Sequence, residues 1–318
     1  MDILREAHQA QVFRLLAQDL AGLLTVERLA DHLSALADTV LEIVLDLAWQ
    51  LLPRKHRSDA PAFAVIGYGK LGGKELGYAS DLDILFIYED AHEQAQETYA
   101  RLAQRINTWL TSRTSAGALF ETDLRLRPSG TSGLLVSPVD AFARYQEKDA
   151  WVWEHQALTR ARYCAGDKAV GAAFERIRET ILKRKRELPS LKGEILAMRE
   201  KMHAAHPNRS GLFDVKHDRG GMIDIEFAVQ YLVLGFAAEF PDLTGNLGNI
   251  ALLKMSAEHG LVPMDLAEKA RTAYREYRRI QHALRLNGAQ YARVPRDQVS
   301  AEMRSVLELW KTVLSAPA

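Results

Sequence analysis

Two aspartates spaced by one residue, in the run Ser80-Asp81-Leu82-Asp83-Ile84-Leu85-Phe86, have the types and spacing to do chemistry. On a β-strand, positions i and i+2 share a face about 7 Å apart. Asp81 and Asp83 then project together while Leu82, Ile84 and Phe86 turn into a core. Adjacent carboxylates repel, so a cation belongs between or beside them, and hard oxygen donors suit Mg²⁺ or Mn²⁺ held together with substrate phosphates. Taken alone, an Asp-x-Asp is equally what an ordinary exposed strand face or turn looks like.

The run Glu121-Thr122-Asp123-Leu124-Arg125-Leu126-Arg127-Pro128 repeats the logic. Period-2 alternation predicts a strand with Asp123, Arg125 and Arg127 on one face, Leu124 and Leu126 on the other, and Pro128 at its end. Beside the first strand, Asp123 joins as a third carboxylate, and the arginines reach phosphates that the metals leave uncovered. The alternative is a solvated face carrying an Asp–Arg pair.

Gly67, Gly69 and Gly72 match the dinucleotide-binding pattern G-x-G-x-x-G directly after an apolar run. Only residues 74–80 separate Gly73 from Asp81, too few for a crossover helix of about ten residues or more. A Walker loop fails as well, because glycine occupies position 73 where its lysine should stand. There remains a Gly-Gly turn opening a short helix whose N–H groups can hold a phosphate, or a turn needed only for backbone geometry.

These residues need a scaffold, and the hydrophobic periodicity supplies one. Two helices are predicted between residues 3 and 52, divided near Thr25, followed by a polar, proline-bounded loop at 53–61. Strands are predicted at 63–67, 82–88, 119–126 and 134–136, with a helix at 94–113. Helices then follow at 140–162, 168–206, 224–236, 247–258, 264–286 and 300–314. The predicted class is α+β, predominantly helical, with a small mixed sheet. Three domains are expected: a helical arm (1–56), an α/β domain (57–165) and a C-terminal helical bundle (166–318).

The 41 Lys plus Arg balance 41 Asp plus Glu, which removes the basic excess that non-specific nucleic-acid binding needs. No run of 18 apolar residues argues for a membrane span, and a single cysteine, Cys164, suits a reducing cytoplasm and reads as a small buried hydrophobe. Trp151, Trp153 and His155, at helical spacing among apolar residues, predict core packing, and the basic run 183–186 predicts a solvated helix face. The polar loop at 214–224 either presents Lys216 and Arg219 to phosphate or is a helix start pinned by Asp224 and a glycine turn.

A strand, a Gly-Gly turn, an Asp-x-Asp strand and a later third Asp resemble the polymerase β-like nucleotidyltransferase superfamily. Residues 67–86, 123–138, 149–162 and 216–234 resemble, in order, the glutamine synthetase adenylyltransferases. These are long chains with two homologous halves, one adding AMP to a tyrosine of glutamine synthetase and one removing it by phosphorolysis. Tyr68, Ser129-Gly130 and the 149–162 run resemble the C-terminal, adenylylating half, so the chain is expected to be a fragment of a two-headed enzyme. The resemblance implies that Asp81 and Asp83 bind two Mg²⁺ ions, and that Asp123 completes the metal site and helps deprotonate the tyrosine. It further implies that Gly72, Gly73 and Ser80 hold the β- and γ-phosphates of ATP. Arg125 and Arg127 would stabilise the triphosphate, Lys216 and Arg219 would add nucleotide contacts, and a PII-type signal protein would be a regulatory partner.

Overall fold

The computed structural model describes residues 1–245 and 248–315. In chain order the elements are α1 (Asp2–Leu20), α2 (Val26–Gln50), β1 (Phe63–Gly67), α3 (Gly69–Gly72), β2 (Leu82–Tyr88), α4 (Ala95–Thr111), β3 (Thr122–Asp123), β4 (Val136–Pro138), α5 (Val139–Lys148), α6 (Val152–Leu158) and β5 (Arg162–Gly166). Then come α7 (Lys168–Leu182), α8 (Leu188–Ala205), β6 (Phe213–Asp214), α9 (Met222–Phe236), α10 (Gly248–Glu258), α11 (Met264–Leu286), β7 (Arg293–Val294) and α12 (Ser300–Leu314). The fold is α+β and mostly helical, as the periodicity predicts. The predicted start of α10, Leu247, lies outside the described residues, as do 316–318.

The chain packs as two units, residues 1–150 with 160–181, and residues 151–159 with those from 182 onward. The first holds a mixed sheet in the order β3-β2-β1-β5. β1 runs antiparallel to both β2 and β5, whereas β3 and β4 lie parallel to β2, β3 at Leu82 and Asp83 and β4 at residues 86–88. Leu82, Ile84 and Phe86 join Phe63 and Val65 in one buried cluster with Val40 and Leu41 of α2 and Leu102 of α4. Each such side chain contributes about 1.5–3 kcal/mol by leaving water. The two predicted N-terminal helices are present, and Thr25 divides them because its hydroxyl accepts the Arg28 N–H at the start of α2.

The structure departs from the periodicity in four places. β3 stops at Asp123 instead of running to Leu126, because the Asp123 carboxylate accepts the Arg125 N–H (2.9 Å) and turns the chain. The predicted helix at 140–162 is α5, a break, α6 and then β5. Trp151 is extended there, and its N–H donates to the Glu154 carboxylate (2.9 Å) to start α6. The predicted helix at 168–206 breaks after Leu182. Pro189 opens α8, and the basic run falls in the link, where Arg186 donates to the carbonyls of Leu182, Arg184 and Leu234. Finally, Trp151 is 68% exposed and Trp153 is also at the surface, so only His155 of that trio is buried.

In the second unit, α8 to α12 pack with a short β6–β7 hairpin. There the fully buried Arg199 donates to the equally buried Asp224 at 2.6 Å. Cys164 is buried on β5, and burial pushes its thiol up. No described helix is long and apolar enough to cross a membrane.

Candidate active site

β2 delivers the aspartates as strand geometry demands. Asp83 is half-buried on the face opposite Leu82, Ile84 and Phe86, while Asp81 stands exposed just before the strand. Asp123 pairs in register with Asp83 across the parallel β2–β3 contact, so the three predicted carboxylates share one end of the sheet. The glycine turn closes over them. Tyr68 N–H donates to the Asp83 carbonyl (2.8 Å), and Gly69 has φ +56° in van der Waals range of the Asp83 side chain. A Cβ at Gly69 would come within 2.3 Å of Asp83 Oδ2 and would have to adopt a left-handed backbone, so any other residue there is strained and displaces the Asp83 carboxylate.

The electrostatics are unbalanced at one atom group. Burial, then the like charges of Asp81 and Asp123, push the Asp83 carboxyl up to about 6, against the opposing pull of Arg160 and Lys70. Asp123 behaves oppositely, held below the usual carboxylate range by its hydrogen bonds from Arg125. Arg125 Nε donates to both Asp123 oxygens (2.9 and 3.0 Å), with Nη2 adding a third contact.

Among the described residues, no group of three or more His, Cys, Asp or Glu side chains could hold a metal ion as placed. The donors nonetheless fit a hard divalent cation in kind. They are carboxylate oxygens, and Asp83 carries negative charge that its surroundings leave under-compensated. Asp123 is instead paired with Arg125.

The other predicted residues fall differently. Gly72 and Gly73 donate their N–H groups to the carbonyls of Tyr68 and Gly69, completing α3, and a Cβ at Gly72 would meet the Arg160 carbonyl at 2.0 Å. Both therefore shape the turn. The Ser80 hydroxyl accepts the Gly77 N–H (3.2 Å), closing the turn that leads into Asp81. Arg127 does not face the carboxylates. Its guanidinium donates to the carbonyls of Leu124, Thr131 and Gly133 and knits the 124–133 loop. Lys216 and Arg219 lie in the second unit. There Lys216 is exposed, whereas Arg219 pairs with Glu200 and sits over the Trp310 ring. Asp214 accepts the N–H groups of Lys216 and His217, and Gly220 N–H donates to Asp224, so the loop is satisfied internally.

Sequence reasoning missed Arg160. It is buried, donates to Glu75 at 2.6 Å, and its positive charge, more than that of Lys70, opposes the rise of the Asp83 carboxyl. The signal available was an arginine directly before a β-prone run, and its partner lies 85 positions away.

A family model described as glutamate-ammonia ligase adenylyltransferase matches residues 1–177, and one described as GlnD PII-uridylyltransferase matches residues 192–311. Similar curated proteins are bifunctional glutamine synthetase adenylyltransferase/adenylyl-removing enzymes. That of Aromatoleum aromaticum is 60% identical over 316 residues, 99% of this chain and 34% of that protein. That of Nitrosomonas europaea is 58% identical over 98% of this chain and 35% of that protein. For Burkholderia pseudomallei the figures are 55%, 99% and 35%. The chain thus spans about a third of the length of the curated relatives it matches.

Proposed function

Because the chain belongs to the glutamate-ammonia ligase adenylyltransferase family, we propose that it transfers AMP from ATP to a tyrosine of glutamine synthetase. A polymerase β-like nucleotidyltransferase domain at residues 57–165 would do so in the cytoplasm. The observation that carries this reading is Asp83, half-buried, beside Asp81, in register with Asp123 and with its carboxyl raised to about 6. Like charges gathered in a partly dry site disfavour folding unless a cation joins them.

Asp81, Asp83 and Asp123 would hold Mg²⁺, which when bound supplies charge neutralisation at the phosphoryl oxygens and the departing pyrophosphate. In the transfer the tyrosine oxygen bonds to the α-phosphorus, the α–β bridging bond breaks with its electrons leaving on pyrophosphate, and the tyrosine proton passes to a carboxylate. We assign that proton to Asp123. Asp123 becomes basic enough only when Arg125 lets go of it, since the pair holds its pKa down. Gly69, Gly72, Gly73 and Ser80 fix the turn that keeps Asp83 and Asp81 in place, and Arg160 keeps Asp83 from being wholly uncompensated. Arg127 acts by holding the 124–133 loop rather than by touching phosphate.

The names of these relatives couple adenylylation with adenylyl removal, which supports phosphorolysis as the second reading. Incubation with unmodified glutamine synthetase, ATP and Mg²⁺, read by intact mass, should show AMP on a tyrosine and pyrophosphate in solution. Activity only on adenylylated glutamine synthetase with inorganic phosphate, giving ADP, would overturn the direction proposed. The match of residues 192–311 to a PII-uridylyltransferase model supports a PII-type protein as a regulatory partner, and adding one to the same assay tests it.

A further inference from the structure

We propose that Arg125 is a built-in stand-in for the cation at Asp123, competing with the divalent ion for that carboxylate and releasing it when a nucleoside triphosphate takes up the guanidinium. The inference rests on the transferase reading for the identity of both ligands. It starts from a contrast among three arginines. Arg160 is buried and tied to Glu75, and Arg127 has its guanidinium on three carbonyls of its own loop. Arg160 cannot move without breaking a buried ion pair, nor Arg127 without giving up its three loop hydrogen bonds. Arg125, by contrast, has a side chain 76% exposed, and its hydrogen bonds among the described residues all go to Asp123.

The geometry of that pair makes it a competitor rather than an ornament. Arg125 Nε and Nη2 approach the two Asp123 oxygens side by side, covering the lone pairs a metal would use. Its charge is also felt by Asp83 and Asp81, so it partly does the work of a cation for the whole cluster. Because the guanidinium is solvated, the pair is weak enough to exchange. A triphosphate offers the same bidentate oxygen geometry with more charge, so nucleotide binding would draw Arg125 away and free Asp123.

Binding of Mn²⁺ alone, followed by electron paramagnetic resonance without nucleotide, tests this. Arg125→Ala should bind Mn²⁺ about 1.5- to 5-fold more tightly than the unmodified chain, as expected for loss of an exposed competing pair. The gain should vanish in an Asp123→Asn background. The same variant should raise KM for ATP, so metal and nucleotide affinities move in opposite directions, which a merely structural arginine would not produce. Equal or weaker Mn²⁺ binding by Arg125→Ala would overturn the competition alone. Absence of Mn²⁺ binding by both proteins would overturn it together with the metal assignment. Arg125 is exposed, so circular dichroism of the variant should match that of the parent.

Discussion

Asp83→Asn should make the metal-free protein more stable while abolishing transfer. The Asp83 carboxyl is raised from 3.8 to about 6, mainly by burial and then by Asp81 and Asp123. A raised folded-state pKa means that the folded chain binds more protons than the unfolded one between those values. Stability from this group is therefore fully present below about 4 and is lost as pH rises through 6. At roughly 1.4 kcal/mol per pH unit, the loss by pH 7.5 approaches about 3 kcal/mol. Asparagine keeps the shape and removes the charge, so the variant should gain about 1–3 kcal/mol at pH 7.5 and less than about 1 kcal/mol at pH 4.5. For a chain of this size each kcal/mol is about 2–4 °C in Tm. Urea unfolding followed by tryptophan fluorescence at both pH values is the assay. Mg²⁺ added at pH 7.5 should narrow the gap by stabilising the parent alone. A gap of the same size at both pH values, or a less stable variant at pH 7.5, would refute the reasoning.

Gly69→Ala should cost about 1–3 kcal/mol and remove activity, because φ is +56° and the new methyl would meet Asp83 Oδ2. Gly22→Ala, at φ +69° with nothing within 4 Å, isolates the backbone part of that cost in the same urea titration. Arg160→Met leaves Glu75 buried without its ion-pair partner and should cost about 3–5 kcal/mol, most of it recovered in the double variant with Glu75→Gln. NMR should also show Asp83 titrating higher in that double variant, since Arg160 is the leading cation opposing its charge. Arg127→Ala should raise amide exchange across residues 124–133 with a global loss of only about 1–2 kcal/mol, the worth of hydrogen bonds at a loop.

The legibility of the sequence followed the range of the interactions. Asp81 and Asp83 could be placed because strand alternation is local: if Leu82, Ile84 and Phe86 enter the core, Asp83 cannot. The same rule failed four residues into the next segment. There a carboxylate-to-backbone bond, Asp123 with Arg125 N–H, outweighed alternation: Arg125 folds back onto Asp123, and Arg127 turns to the carbonyls of its own loop. β5 was missed because Arg162 reads as helix surface, whereas its burial depends on Asp38, a partner 124 positions away. The Arg160–Glu75 pair has the same character.

These failures share a cause that bears on function. The arginines involved each answer a carboxylate: Arg162 pairs with Asp38 and Arg160 with Glu75, both far off in the sequence, and Arg125 pairs with Asp123 two positions away. At Asp83, burial first and then the like charges of Asp81 and Asp123 hold the carboxyl up to about 6, against the pull of Arg160 and Lys70. A scaffold stabilised for its own sake would place an amide there. The charge gathered at Asp83, together with an exposed Arg125, supports the proposed cation and polyphosphate site and narrows it beyond the Asp-x-Asp spacing alone.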